Sequence, residues 1–404
     1  MTKYPFLTQY QFMCQEALKS VANLSKSSQK VSIDTLKLFM AIPYKINFLQ
    51  MGRYGAFSEQ TYRNHFKKDF NWFELNRTLI KEHLTGNRKA IAIDPSYIPK
   101  SGKKTPWIGH FWSGCSAEFK RGLEVMGIGV IDIDNHECMT LGSIQTPDTK
   151  TLYTMDKTLV DWYSSYLINQ KDHLQHISNI VVADAFFSKE TFVSPMCNNG
   201  YQIISRFRND ATLFYPTLEK PTKRRGHPKW YDGSIDFENL DTTRCTEYAI
   251  DKGNLYGLKA YSKSLKRFVS VAIWYPNENQ TDKWQIYFST NDTMNAKDVI
   301  EYYRTRFQIE FCFRDAKNYA GLCDCQSTDF RKLHYHFNAS FTAINLAKAV
   351  CKSIGIPYSI TTCKSVIHNA YMLERFICMS GLQANTHLID KLFKELILFT
   401  ATAA

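Results

Sequence analysis

The chain has 404 residues, enough for one large domain or for two to three smaller ones with a sizeable buried core. Hydrophobic residues make up 44% and aromatic residues 14% of the chain, and this composition excludes an intrinsically disordered protein. The net charge of +12 favours a polyanionic partner such as nucleic acid.

The first residues, MTKYPFLTQYQFMCQEALKSV, show neither the continuous apolar stretch nor the cleavage site of an export signal. No segment has the roughly 18–20 consecutive apolar residues of a membrane span. The eleven cysteines are odd in number and scattered, so we expect reduced thiols in a cytoplasmic protein that has no membrane partner. Cys323, Cys325, His334 and His336 have poor spacing for a zinc site.

Residues 1–88 predict a helical domain. LKLFMAIPYKINFLQ and FNWFELNRTLIKEHL have helical apolar spacing. Ser58 is predicted to cap a helix through EQTYRNHFKKDF, which would carry Arg63, Lys67 and Lys68. A basic helical unit suits the recognition of a DNA end, so we predict a DNA-binding domain at 1–88. A plain helical subdomain is an equally open alternative.

After residue 88 the pattern changes to apolar strands mixed with helices, which predicts an α/β core. Strands are predicted at 89–94, 121–134, 136–144, 177–184 and 200–207, and helices at 157–169 and 189–197. The second and third strands read as a hairpin that turns near Asp134 and Asn135.

A β-rich insertion is predicted at 208–285, because a polar, turn-rich segment is followed there by strand-like runs such as LYGLKAYS and RFVSVAIWY. It divides the α/β core into a first part at 89–207 and a second part at 286–350. A C-terminal helical region is predicted at 351–404.

Two predicted strands end in an acid, at Asp94 in KAIAID and at Asp184 in ISNIVVAD. Ligands gather at the carboxyl ends of strands in α/β sheets, so these carboxylates are candidates for a shared site. A single Asp after an apolar strand is more commonly a turn residue or a helix cap.

EYYRTRFQIEFCFRDAK (301–317) predicts a helix in which polar and aromatic residues are mixed. With about 100° per residue, Tyr303, Arg306, Glu310 and Lys317 share one stripe about 60° wide. Aromatic and apolar residues border this stripe, and Arg304, Thr305 and Gln308 are predicted to face away toward water. The alternative is a solvated stripe in which Arg306 and Glu310 form a simple i,i+4 pair.

The spacing Tyr303-x2-Arg306-x3-Glu310-x6-Lys317 resembles the Y-R-E-K signature of bacterial insertion-sequence DDE transposases, which have a ribonuclease H-like catalytic core. IYFSTND (286–292) and GLCDCQS (321–327) resemble the segments that flank that helix in the family, and the resemblance covers residues 55–350. It implies an α/β fold: a ribonuclease H-like mixed sheet flanked by helices, interrupted by the β-rich insertion, with an N-terminal helical domain.

The resemblance implies that Asp94, Asp184 and Glu310 are the catalytic acids and hold two Mg²⁺ ions, for which Mn²⁺ can substitute. Carboxylate oxygens suit such hard cations, and a metal pair can activate the attacking oxygen and stabilise the leaving one. Tyr303 and the two cations Arg306 and Lys317 would contact phosphates of the DNA end.

Further DNA contacts are expected from basic loops: Lys100, Lys103 and Lys104 follow Asp94, and Arg224 and Arg225 lie in KPTKRRGHPKW. Solvated loops are the alternative. Trp284 is our candidate for stacking on a flipped base, as a Trp of the β-rich region does in some relatives, and a buried core Trp is the alternative. Ala185 departs from the Arg that many relatives have after the second Asp.

The predicted function is that of a bacterial cut-and-paste transposase acting in the cytoplasm, at the nucleoid when it is bound to DNA. It would bind double-stranded DNA at the terminal inverted repeats of its element, cleave it through a hairpin, and join the 3′ ends to target DNA. Pairing of two ends implies a homodimer on DNA. A ribonuclease H-like nuclease without strand transfer and a catalytically inactive DNA-binding relative are the alternatives.

Overall fold

The computed structural model describes residues 5–218, 231–276 and 283–380. Its N-terminal part is helical, as predicted, and consists of α1 (Pro5–Leu18), α2 (Lys26–Ala41), α3 (Phe48–Tyr54), α4 (Glu59–His65) and α5 (Trp72–His83). Ser58 caps α4 by accepting a hydrogen bond from the amide of Thr61, which confirms the predicted cap. Because α4 ends at His65, Lys67 and Lys68 lie beyond this helix and not on it, which corrects the prediction.

The strands of the described residues form one twelve-stranded sheet. They are β1 (Lys89–Pro99), β2 (Gly109–Ser113), β3 (Glu118–Asp132), β4 (Glu137–Gln145), β5 (Ile180–Val182), β6 (Gln202–Arg206), β7 (Leu213–Pro216), β8 (Tyr231–Ser234), β9 (Thr246–Tyr248), β10 (Asn254–Ser262), β11 (Arg267–Tyr275) and β12 (Gln285–Ser289). The helices that follow α5 are α6 (Thr149–Thr154), α7 (Leu159–Asn169), α8 (Lys171–Gln175), α9 (Glu190–Asn198), α10 (Ala296–Thr305), α11 (Gln308–Asn318), α12 (Phe330–Ser353) and α13 (Ile360–Ser380).

The core of the sheet has the order β4-β3-β1-β5-β6. β3 is antiparallel to both β4 and β1, whereas β5 is parallel to β1 and to β6. The hairpin closes where Asp132 pairs with Glu137, next to the predicted turn. The predicted ribonuclease H-like mixed sheet flanked by helices is therefore confirmed.

The β-rich segment continues this sheet. β12 pairs with β6 on one side and with β11 on the other, and β10, β7 and β8 follow outward. The inserted strands therefore extend the core sheet beyond β12, and do not form a separate layer.

Helix α12 is the central helix of the described structure. Most of its residues are buried, and it packs against β4 and against α1, α2 and α5. The Tyr10 hydroxyl of α1 donates to the carbonyls of Leu36, at 3.0 Å, and Ala343, at 3.3 Å. Apolar side chains of the N-terminal helices, the sheet and α12 form one continuous buried core. None of the described helices is long and apolar enough to cross a membrane.

The segment 301–317 is split between two helices, which corrects the prediction of one helix. α10 ends at Thr305 and α11 begins at Gln308, although Arg306 and Phe307 keep right-handed helical backbone angles. Thr305 is 3% exposed and not wet as predicted, and its buried hydroxyl is satisfied by donating to the carbonyl of Glu301 in the same helix.

Candidate active site

The two strand-end acids meet at one edge of the sheet. β1 pairs in parallel with β5 only at Ile91 and Ala92, so Asp94 lies just past the end of that pairing. β1 itself does not end there, contrary to the sequence prediction, because its antiparallel pairing with the longer β3 continues to Pro99. Asp184 follows β5 and caps a 3₁₀ turn (Ala185–Phe187) by accepting from the amide of Phe186 at 3.0 Å.

Helix α11 brings the third acid to this edge. Gly127 lies opposite Asp94 on β3, and a Cβ there would stand 2.8 Å from the ring of Phe313 on α11. The absence of a side chain at Gly127 therefore lets α11 pack directly on the sheet. This packing carries Glu310, one turn earlier on the helix, toward Asp94.

Arg306 stands among the three acids. Its Nη1 lies 3.4 Å from Asp94 Oδ1, and its Nη2 donates to Glu310 Oε1 at 2.9 Å. The i,i+4 pair of the alternative is present, but the Arg306 side chain is only 12% exposed and the Glu310 side chain 38%, so the stripe is not solvated at Arg306. Its Nε has no hydrogen-bond partner among the described residues. A buried guanidinium with an unused donor is costly unless surrounding carboxylates compensate for it.

The carboxylates and Arg306 influence one another's charge. Burial raises the pKa of Asp94 to about 7, Arg306 opposes this rise, and the charges of Glu310 and Asp184 add to it. Burial also raises the pKa of Asp184, again against Arg306. Burial works against the charged form of Arg306, yet the neighbouring Asp94, Tyr303 and Glu310 raise its pKa. The three acids thus share one electrostatic environment with Arg306 in it.

Within the part of the chain that the structure describes, no three His, Cys, Asp or Glu side chains are grouped closely enough to hold a metal ion as they stand. The donor set at this edge nevertheless fits a hard divalent cation, because Asp94, Asp184 and Glu310 offer only carboxylate oxygens. Two of these carboxylates already share one positive group, the guanidinium of Arg306.

The remaining members of the stripe surround the acids. Lys317 donates from Nζ to Ser96 Oγ at 2.8 Å, two residues after Asp94, and burial lowers its pKa. The ring of Tyr303 packs on Tyr287 with 4.9 Å between centroids, and the guanidinium of Arg306 lies 5.7 Å from its centre. Both side chains are half-buried beside the acids.

Residues 165–346 match the family model for the transposase DDE domain. This segment of the chain is a transposase DDE domain. The matched segment contains Asp184 and Glu310, and Asp94 lies upstream of it. Membership of the Y-R-E-K group stays a prediction that rests on the signature residues. A search of curated proteins finds no match.

The lysines of the predicted basic loop lie in two different environments. Lys100 donates to the carbonyl oxygens of Cys325 and, at 3.1 Å, Ser327, so it ties the loop to the segment after α11. Lys103 and Lys104 are exposed and line a cavity of about 530 Å³ that also contains Lys45. The exposed Lys103 and Lys104 are in a position where they could bind a polyanion. Lys100 instead donates to two backbone carbonyl oxygens.

A second cavity, of about 520 Å³, continues the positive lining. It shares Lys45 with the first cavity and adds Lys317 and Lys364. The lysine-lined surface therefore runs from the exposed loop to the helix that carries Glu310.

Three other predicted DNA contacts have different outcomes. Arg224 and Arg225 lie outside the described residues. Trp284 is half-buried and stacks on Phe237, with 5.9 Å between ring centroids and 22° between planes. Its indole nitrogen is buried and has no partner among the described residues. This packing matches the alternative of a core Trp, and its predicted role in base stacking stays a proposal.

Sequence reasoning missed Arg206, which ends β6 beside Asp184. Burial raises the pKa of Asp184, and Arg206 joins Arg306 in opposing that rise. Arg206 thus supplies positive charge next to Asp184. The available signal was an Arg at the last position but one of the predicted strand 200–207, which is the next predicted strand after the one that ends at Asp184.

Proposed function

We propose that this transposase is a metal-dependent enzyme that cleaves DNA at the terminal inverted repeats of its own element and joins the 3′ ends to target DNA. The observation that carries the proposal is the contact of Arg306 with two acids, Asp94 and Glu310, at the sheet edge where Asp184 follows β5. This arrangement uses the residues of the Y-R-E-K signature together with both strand-end acids.

Asp94, Asp184 and Glu310 are the residues that would hold two Mg²⁺ ions, or Mn²⁺ in their place. These ions would supply positive charge to the attacking and leaving oxygens of the phosphodiester. In the protein alone, Arg306 provides the counter-charge, and its fork of donors suits a phosphate as well as a carboxylate. Lys317 and Tyr303 flank the acids, where they would position the phosphate of the DNA end.

Double-stranded DNA is the proposed partner, as terminal inverted repeats and as target. The lysine-lined surface of Lys45, Lys103 and Lys104 supports this, because such contacts bind the DNA backbone regardless of sequence. We propose further that a homodimer forms on two paired ends, that second-strand cleavage passes through a hairpin, and that the protein acts in the cytoplasm.

The test is cleavage of a DNA fragment that ends in the inverted repeats flanking the gene, with Mg²⁺. The wild type is compared with Asp184→Ala and Glu310→Ala, and DNA binding by each is measured in parallel. We expect cleavage at the repeat tip by the wild type alone and similar binding by all three. Cleavage by either variant would show that the acid it lacks does not carry out the reaction. Binding without cleavage by any of the three proteins would favour the catalytically inactive DNA-binding relative or point to a missing host factor.

The products of the same assay distinguish a transposase from a simple nuclease. Joints between the 3′ ends and a target plasmid are expected for strand transfer. A denaturing gel would show a hairpin as a product of twice the strand length, and linear ends alone would remove the hairpin from the proposal.

A further inference from the structure

Two buried cysteines face each other where α12 meets α13. The Sγ atoms of Cys351 and Cys363 lie 3.4 Å apart, and the two residues are 1% and 2% exposed. All eleven cysteines lie within the described residues and are free thiols, so this pair is reduced in the structure. A disulfide requires about 2.05 Å between its sulfur atoms, so a small movement of the two side chains would allow the bond to form.

A cavity of about 350 Å³ reaches this pair, because Cys351 belongs to its lining. Charged side chains of the same lining are already paired with one another. Lys352 donates to Glu137 Oε2 at 2.7 Å, and Arg314 donates to Asp315 Oδ1 at 3.0 Å. A small uncharged molecule could therefore enter the cavity and reach Cys351 without separating these ion pairs.

The two thiols differ in reactivity. The hydrogen bond between them lowers the pKa of Cys351, against the effect of burial, and raises the pKa of Cys363. The thiolate is the reactive form of cysteine, and Cys351 is the member of the pair that lines the cavity. Cys351 is therefore suited to react first, and Cys363 lies close enough to displace a group formed on the Cys351 sulfur.

The segment between the two cysteines contacts the helix that carries Glu310. The Tyr358 hydroxyl donates to Asp315 Oδ2 at 2.9 Å, and Asp315 lies on α11 in the turn after Glu310. Asp315 is 1% exposed, so this contact is buried at the surface of α11. A covalent ring closed from residue 351 to residue 363 would restrict the position of Tyr358 and, through Asp315, that of α11.

We propose that Cys351 and Cys363 form a redox modification site, at which a peroxide converts the two thiols to a disulfide that ties α13 to α12 and holds Tyr358 against α11. This inference does not depend on the proposed function. Disulfides in a reducing compartment are commonly transient and redox-sensing, so the reduced pair is the resting state and the disulfide is the response to oxidant.

The reaction consumes one molecule of hydrogen peroxide. The Cys351 sulfur attacks one peroxide oxygen, the O–O bond breaks, and the other oxygen leaves as water with the thiol proton. The Cys363 sulfur then attacks the sulfur of the Cys351 sulfenic acid, the S–O bond breaks, and a second water leaves. The two thiols lose two electrons, which the peroxide gains. A dithiol reductant reverses the change by thiol–disulfide exchange.

The direct test is a peptide map of the full-length protein, which is reduced, freed of reductant and treated with hydrogen peroxide. After removal of the peroxide, the remaining thiols are alkylated in urea, and the chain is digested without reduction for mass spectrometry. We expect a peptide pair joined through Cys351 and Cys363 that separates on renewed reduction. A disulfide between Cys138 and Cys312 in its place, or complete alkylation of Cys351 after the peroxide treatment, would overturn the proposal.

Two serine variants of α13 provide a second readout. Cys363→Ser removes the second thiol of the pair, whereas Cys378→Ser removes an exposed cysteine of the same helix. Peroxide is expected to raise the Tm of the wild type and of Cys378→Ser by about 2–5 °C, because the disulfide constrains the unfolded chain, and to leave that of Cys363→Ser unchanged. In Cys363→Ser, Cys351 should stay a sulfenic acid that reacts with dimedone. An equal rise for all three proteins would contradict the assignment.

Hydrogen exchange tests the connection to α11. The amides of α11 should exchange more slowly in the oxidised than in the reduced wild type. Tyr358→Phe keeps both cysteines but lacks the hydroxyl that binds Asp315, so this difference should disappear while the disulfide still forms. Unchanged exchange of α11 in the oxidised wild type would refute the hold on this helix. No readout here uses DNA, so failure of the proposed function would leave these results unaffected.

Discussion

Arg306 determines the charge balance of the proposed active site, because it is the cation nearest to a set of partly buried acids. Helical spacing predicted that Arg306 and Glu310 share one stripe, and the family resemblance implied that Glu310 lies with the two strand-end aspartates. It assigned Arg306 to DNA phosphate and did not predict the contact with Asp94. That contact depends on a side-chain direction across 212 residues of sequence, which helical periodicity does not specify.

Replacement of Arg306 by Ala is expected to destabilise the protein in the absence of metal and DNA. Asp94, Asp184 and Glu310 would then repel one another without a counter-charge, and the pKa of Asp94 would rise further above about 7. We expect the free energy of unfolding to fall by about 2–4 kcal/mol at pH 7.5, measured by urea denaturation.

Arg304→Ala is the matched control, since Arg304 is exposed and lies over the Trp274 ring at 4.6 Å, away from the acids. Arg304→Ala is expected to lower the free energy of unfolding by less than about 1 kcal/mol. Equal losses for the two variants would mean that Arg306 acts through packing alone.

The approach of α11 to the sheet depends on glycine at one strand position. The sequence predicted a helix over 301–317 and a strand over 121–134, but it gave no reason to single out Gly127. The need for glycine appears only when α11 is packed on β3, since the Phe313 ring fills the space that a Cβ would occupy. The break after Thr305 was equally hidden, because all the residues around it keep helical backbone angles.

Gly127→Ala is therefore expected to displace α11 and with it Glu310. A Cβ 2.8 Å from the Phe313 ring requires a shift of the helix or the ring. Because misplacement by about 1 Å can cost about 100-fold in rate, we expect cleavage to fall by at least 10-fold. The measurement is the rate of end cleavage, and the control is Gly233→Ala, where no atom of the described residues lies within 4 Å of the added Cβ. Recovery of activity in Gly127→Ala with Phe313→Leu would support the steric cause.

His65 connects α4 with α2 and α12. Its Nε2 lies 3.0 Å from both the Ser32 Oγ and the Tyr335 hydroxyl, and the residue is 4% exposed. Burial, with a contribution from Lys68, lowers the pKa of His65 to about 4. The sequence placed His65 on a capped basic helix, but its burial required the position of α12, which arrives 270 residues later.

Because the pKa of His65 is lowered in the folded protein, the free energy of unfolding depends on pH. The folded protein binds the proton more weakly than the unfolded chain, so the contribution of His65 is complete above about pH 6.5 and is lost as the pH falls toward about 4. We expect the contribution of His65 to the free energy of unfolding to fall by about 3 kcal/mol across that range. His65→Gln should be less stable at pH 7.5 but should lose less on acidification, whereas the exposed His176→Gln should follow the wild type. Parallel acid profiles for all three would contradict this assignment.

At the scale of the whole molecule, the helices before residue 88 complete the hydrophobic core. Composition and periodicity predicted a helical unit at the N-terminus, and that unit is present. Its relation to the rest of the fold was not visible in the sequence, because the partner of α1, α2 and α5 is α12, more than 240 residues away. Asn345 on α12 illustrates the connection, since its Nδ2 donates to Asn76 Oδ1 at 3.0 Å and to the Thr140 carbonyl at 2.7 Å.

We therefore expect the fragment 1–88 to be largely unfolded when it is produced alone. The fragment 89–404 would expose the buried face of α12 and aggregate. The full chain should unfold in one thermal transition that is followed equally by tryptophan fluorescence and by helical circular dichroism. Two separate transitions, or a folded 1–88 fragment with dispersed amide resonances, would show that the N-terminal helices form an independent unit.

The position of β12 between β6 and β11 limits how this protein can be shortened. Deleting the β-rich segment would not restore a smaller self-contained core, because β12 would lose the partner to which it is bonded from Gln285 to Ser289. A free row of backbone donors and acceptors there would be a template for joining further copies of the chain into aggregates. An attempt to reduce the protein to its catalytic centre must therefore supply a new neighbour for β12.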